Sequence, residues 1–239
     1  MQHQQAVIEQ QGLARVVALE NEALPAVVAM ELAGVQVDTE HWRKVLINKC
    51  ARLAQLQEQI QQVLGEALVE KQACAQQSLF DGKPVQAHVS LSSNEQLKDS
   101  LHALGIKVTS TNAVTLAAMK DAHPVVPLIQ EWKKLQKFVS SFGETFLEHV
   151  GSDNRIHATF DQLGADSGRF SCYRPNLQQI PKEKDPDADI RRCFIARPGY
   201  TLLIADLSNI ELRICTQRQH ASCFIFHQRS IRRSITSMG

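Results

Sequence analysis

The chain has 239 residues, 44% of them hydrophobic and 21% charged, with a formal net charge of +1. That length holds one large or two modest domains around a packed core, and the balanced charge excludes binding of nucleic acid by global basicity, so any such site depends on local placement. No apolar run approaches the ~20 residues that span a bilayer, and the N-terminal MQHQQAVIEQQ lacks the basic and apolar regions of a leader, so a cytoplasmic protein is expected.

The segment Leu13 to Leu32 is apolar at helical spacing and interrupted by Pro25; Gly34 then stops the helix before a short extended piece at Val35 to Val37. Asp38 or Thr39 suits the cap of the next helix. There Trp42, Leu46, Leu53, Leu56, Ile60 and Val63 step by fours and threes with one missed step at Lys49, which predicts a long helix with a narrow seam. Residues 72–89 lose the pattern and carry Asp81, Gly82 and Pro84, as a loop does. Ser92, Ser93 and Glu95 resemble a capping box opening a short helix that stops at Gly105, and a further short helix holds Leu116 and Met119 before His123 and Pro124.

A second long helix is expected from about Pro127, with the seam Leu128, Trp132, Leu135, Val139, Phe142 and Phe146. Two seamed helices joined by a compact helical insert predict an antiparallel arm roughly 30 Å long, at ~1.5 Å per residue. On pattern alone this is a helical bundle without chemistry, and Lys133, Lys134 and Lys137 are a solvated face.

From Gly151 the helical period fades, and Gly164, Gly168, Pro175, Pro181, Pro186 and Pro198 punctuate short segments. Arg155 to Phe160, Phe194 to Ala196 and Thr201 to Ala205 read as strands, the last being the most apolar. After Ile214 come Arg218, Arg229, Arg232 and Arg233 with no acidic residue, and poor order is expected from about Gln217. The six cysteines, Cys50, Cys74, Cys172, Cys193, Cys215 and Cys223, include no C-x-x-C pair and no His at zinc-finger spacing, so they read as reduced thiols.

Two stretches carry candidate chemistry. TLLIADLSNIELR, Thr201 to Arg213, delivers Asp206 at the end of an apolar strand, with Glu211 five residues on. A carboxylate on a rigid strand end suits magnesium, which takes oxygen ligands at ~2.0–2.1 Å; taken alone, Asp206 fits a turn or capping aspartate better. Upstream, DQLGADSGRFSCYRPNLQQIP gathers Arg169, Ser171, Arg174, Asn176, Gln178 and Gln179, groups that donate to phosphate, sugar and minor-groove base edges. A polar loop explains that composition equally well.

The spacing is more specific than the content. SGRFSCYRPNLQQIP, followed by IRRCFIA at Ile190 to Ala196 and IADLSNIELR at Ile204 to Arg213, resembles the palm region of family A DNA polymerases, the bacterial DNA polymerase I group. LENEALPAVVAMELAGVQVD resembles that family's lead-in to the polymerase domain, and LSSNEQLKDSL with AHPVVPLIQEWKKLQKFVSS resembles its thumb helices. The resemblance implies an α+β fold: residues 1–40 a lead-in helix and the start of the palm, 41–150 a helical thumb subdomain, 151–216 a partial antiparallel-sheet palm, and 217–239 a divergent, disordered tail.

It also implies roles. Asp206 matches the first metal-binding catalytic aspartate, with the Leu207 backbone carbonyl as a further metal ligand. Glu211 matches the residue that crowds the sugar 2′ position and favours deoxynucleotides. Arg169, Asn176, Gln178 and Gln179, with Ser171 beside them, match positions near primer or template, and Lys137 and Lys133 fall where family members touch the DNA backbone. The implied partners are primer-template DNA and a deoxynucleoside triphosphate, and the implied reaction is attack of a primer 3′-hydroxyl on the α-phosphate, served by two magnesium ions ~4 Å apart.

The departures are as informative. Leu207 and Asn209 stand where the family most often has Tyr and Gln. No acidic residue follows Glu211, so the second catalytic aspartate and the fingers are expected to be missing from this chain, and RQHASCFIFHQRSIRRSITSMG resembles nothing in the family. The expectation is a polymerase fragment that is inactive alone; the alternative is a non-catalytic remnant that holds primed DNA through phosphate contacts. The partial sheet is expected to leave an unpaired edge.

Overall fold

The structure, a computed structural model, describes residues 2–75, 88–210, 212 and 213. The residue Glu211, most of the loop expected over 72–89, and the tail 217–239 lie outside the described residues. In chain order the elements are α1 (Gln2–Gln10), α2 (Ala14–Ala33), β1 (Val35–Val37), α3 (Thr39–Ala75), α4 (Asn94–Ala103), α5 (Ala113–Ala118), α6 (Val125–Phe142), α7 (Glu144–Leu147), β2 (Arg155–Ile156), β3 (Thr159–Asp161), β4 (Ser171–Tyr173) and β5 (Phe194–Ile195).

The expected antiparallel arm is present. Trp42 of α3 meets Phe142 of α6, Lys49 meets Phe138, and Arg52 forks onto the Glu131 carboxylate at 2.8 and 2.9 Å. As one number rises the other falls, so the two helices run in opposite directions. The α3 seam is buried at Trp42, Leu46, Leu56 and Ile60, with Leu64 continuing it. The α6 seam is rotated from the expected one: Ile129, Trp132, Phe138 and Phe142 are buried, while Leu128, Leu135 and Val139 are only partly so. The helix ends at Gly143, placing Phe146 on α7.

Two apolar clusters divide the arm. The outer one packs Leu56, Ile60 and Leu64 against α4 and α5 through Leu97, Leu101 and Leu116. Each short helix is capped by its own sequence, as Ser93 accepts from the Gln96 N–H and Asn112 from the Thr115 N–H at 2.7 Å. The box differs from the expected one: Gln96 rather than Glu95 stands at the third helical position, and its side chain accepts from the Ser90 N–H at 2.8 Å, while the Ser93 N–H bonds the Ser90 carbonyl. The inner cluster joins Trp42, Leu46, Phe142 and Phe146 to the sheet through Val37, Ile156, Cys172 and Cys193.

In the sheet β1 lies between β2 and β5, antiparallel to both, with Gln36 opposite Arg155 on one side and Ile195 on the other. β3 and β4 form a separate hairpin, pairing Thr159 with Tyr173 and Asp161 with Ser171. The single strand expected over 155–160 is therefore two strands in two sheets, because buried Ala158 lies at the step between them.

Pro25 does not break α2, which continues on both sides of it. The end of α2 is held by two side-chain donors: Arg155 Nη1 donates to the Ala33 carbonyl and His157 Nδ1 to the Glu31 carbonyl, each at 2.8 Å, where a helix leaves carbonyls unpaired. Gly34 follows at φ 60°, and a Cβ there would meet the His157 ring at 2.7 Å. The carboxylate of Glu31 accepts from the Phe160 N–H at 2.6 Å, and that of Glu20 accepts from Gln162 Nε2 at 2.8 Å. Along α2 the apolar Leu19, Leu24, Val28, Met30 and Leu32 are exposed, while Val27 is buried.

Candidate nucleic-acid and metal site

The polar stretch 161–181 is shaped by its turns. Gly164 is required in the hairpin connection because a Cβ there would collide with the side chain of Ser171. After β4 the chain bends at Arg174, φ 58°, and the following cis peptide bond to Pro175. Cys172 fastens the bend from within, its thiol donating to the Pro175 carbonyl and its sulfur accepting from the Leu177 N–H, both at 3.4 Å. Asn176 then accepts from the Gln178 N–H and caps a single 3-10 turn, Leu177–Gln179.

This geometry gathers several of the candidate residues on one bend. Ser171 opens β4, while Asn176, Gln178 and Gln179 lie on the turn, and Gln178 reaches back to the Phe170 carbonyl at 2.9 Å. Arg169 is exposed on the connection just before β4. Below the turn Ile180 is buried, and its carbonyl takes two bonds from the Arg191 guanidinium, at 3.2 and 2.7 Å.

On α6 the two candidate lysines differ. Lys133 directs its ammonium inward, donating to the Thr111 carbonyl at 2.8 Å, the Thr111 hydroxyl at 3.0 Å and Asn94 Oδ1 at 3.2 Å. Burial lowers its pKa from the ordinary lysine value. With three donors engaged, Lys133 fastens α6 to the start of α4 and the lead-in to α5. Lys137, one turn on, is exposed.

The stretch around Asp206 departs from the expected buried strand. Residues 201–205 form no strand beyond a single bridge position at Ile204, and Leu203 and Ile204 are 72% and 67% exposed. Among the described residues β1 is already flanked by β2 and β5, and no described strand runs beside 201–205 to take its backbone groups. A turn at Arg197 to Tyr200, with the Arg197 guanidinium 3.5 Å from the Tyr200 ring centroid, leads into it. Asp206 and Leu207 are exposed, and Asn209 adopts φ 55°. Among the described residues no three His, Cys, Asp or Glu side chains converge as a metal-binding group.

Sequence reasoning missed Glu183, Lys49 and Arg191, which fasten the loop after the turn. Its one available signal was the charged residue interrupting the α3 seam: Lys49 is buried there, 4.4 Å from the Phe138 ring centroid and 3.6 Å from Glu183.

The helical arm and small antiparallel sheets match part of a polymerase domain of known structure. The sequence profile of DNA polymerase family A matches residues 50–225, and the chain belongs to that family. It is 34% identical over 187 residues to DNA polymerase I of Deinococcus radiodurans, a match covering 77% of this chain and 18% of that protein. Against the thermostable DNA polymerase I of Thermus aquaticus it is 30% identical over 203 residues, 80% of this chain and 22% of the relative. Among solved structures it resembles the POL domain of Pol1 from M. smegmatis in complex with DNA primer-template and dNTP, with a TM-score of 0.66, 25% identity, and coverage of 86% of this chain and 35% of that one. The chain thus spans about a fifth of the length of these curated relatives.

Proposed function

We propose that residues 1–216 are the lead-in, thumb and part of the palm of a template-directed DNA polymerase, and that their own task is to hold primed duplex. The observation that carries this reading is the span of the family match, 50–225, which takes in most of the arm and the Asp206 stretch. In this reading residues 1–40 are the lead-in helix and first palm strand, 41–150 the thumb, 151–216 the partial palm, and the setting is the cytoplasm. Arg169, Ser171, Asn176, Gln178 and Gln179 face primer or template, and Lys137 takes a backbone phosphate. Lys133 supports that face from behind.

Asp206 is the proposed first metal carboxylate, with the Leu207 carbonyl beside it, and Glu211 the residue that favours a deoxynucleotide. Magnesium in such sites is held by one or two carboxylates, with waters and substrate phosphates completing its oxygens; a two-metal reaction calls for a second carboxylate beside Asp206, so no transfer step is assigned to these residues alone. The test is extension of a primed template with magnesium and all four deoxynucleotides. Residues 1–239 are predicted to add no nucleotide; robust extension abolished by Asp206→Ala would overturn the fragment reading.

A further inference from the structure

The carboxylate of Glu183 bridges both long helices of the arm. One oxygen lies 3.6 Å from Lys49 Nζ on α3 and the other 3.3 Å from Lys134 Nζ on α6. Lys49 is nearly enclosed, with its side chain 9% exposed and its ammonium against the Phe138 ring, whereas Lys134 is 71% exposed. A buried ammonium requires a partner, because an uncompensated charge in an apolar seam is strongly destabilising. Glu183 is that partner, and it comes from the loop that leaves the bend at Asn176 to Gln179. Burial of Ile180 and the Arg191 fork on the Ile180 carbonyl anchor the loop to the base, residues 186–193 pack further along it on α3, and Glu183 adds the ion pairs to both arm helices.

We propose that Glu183 is a positioning residue: by tying this loop to α3 and α6 it sets the register between the bend 171–180 and the exposed Lys137 face of the arm, so that both meet one nucleic-acid backbone. The proposal rests on the reading that these two surfaces hold primed duplex. Glu183 itself makes no contact with the nucleic acid in this account.

The test compares wild type with Lys49→Met and with the double variant Lys49→Met/Glu183→Gln. Both remove the buried ammonium rather than leave it unpaired, and the double variant keeps the net charge, so its affinity is compared with wild type at equal global charge. Amide hydrogen exchange at residues 182–185 is predicted to accelerate about tenfold in the double variant while α3 and α6 keep their protection. Affinity for a primed hairpin duplex, by fluorescence anisotropy, is predicted to fall roughly fivefold, within the range of mutations that alter coupling without touching the ligand. Loop exchange that stays at the wild-type rate, or unchanged affinity in a variant whose loop has loosened, overturns the positioning role alone. Failure of wild type to bind at low salt overturns the nucleic-acid reading and the positioning role with it.

Discussion

Trp42 Nε1 donates to the Phe142 carbonyl at 3.0 Å, joining residues one hundred positions apart. Phe142 is the last residue of α6, where a carbonyl finds no helical partner. The same indole stacks on Phe146 at 4.9 Å between centroids, so one side chain closes the base of the arm both by packing and by satisfying the helix end.

That arrangement separates the two tryptophans. Trp42→Phe leaves a buried carbonyl unpaired and is predicted to cost about 1–3 kcal/mol. The buried indole N–H of Trp132 has no partner among the described residues, so Trp132→Phe removes an unsatisfied donor and is predicted to cost less. Urea unfolding of the two variants, compared at equal m-values, checks the order.

His157 gives the α2 junction a pH optimum. Its pKa is raised above the ordinary 6.5, first by the bond to the Glu31 carbonyl and then by Asp153, 3.1 Å away. Its contribution is complete below 6.5 and is lost as pH rises through the raised folded value. Asp153 is held below the ordinary 3.8, chiefly by His157, so its contribution is present above 3.8 and lost as pH falls through the lowered value. Protection of α2 amides is predicted to be greatest between these limits, and His157→Gln is predicted to remove the loss on the alkaline side. Solvent exposure of the pair keeps the effect small.

Gly34→Ala tests the same junction sterically. The backbone at φ 60° disfavours any side chain, and the added Cβ would sit 2.7 Å from the His157 ring. The predicted cost is about 1–3 kcal/mol, accompanied by return of the His157 titration, followed by NMR, towards the ordinary value.

The thiols are predicted to react in two classes. Cys50 is exposed, whereas Cys172 and Cys193 are buried, and burial with Asp38 and Asp189 nearby pushes the Cys193 thiol up to about 12. In a variant with Cys74, Cys215 and Cys223 changed to Ser, a disulfide reagent should label Cys50 under native conditions and reach Cys172 and Cys193 only after unfolding.

The arm was legible because burial imposes a period on long helices: Trp42 and Phe142 stood in the seam by spacing alone. The order of the short helices followed from their caps in the same way. Lys49 was legible only as a gap, since its partner Glu183 lies far along the chain and no local pattern pairs them. The run 201–205 misled because apolar, strand-like composition states what a segment prefers, whereas the described residues place no strand beside it. Pro25 misled in the opposite direction, because a single lost backbone bond did not end α2.

The central claim, that the arm and the bend together hold primed duplex, is tested most directly by fluorescence anisotropy of residues 1–239 with a labelled primed hairpin across a salt series. The predicted result is binding at low salt that weakens steeply as salt rises, by a slope of about 0.9 per neutralised phosphate, with Lys137→Ala lowering that slope by about one. Absence of binding at low salt, or an affinity indifferent to salt and to Lys137, would contradict it.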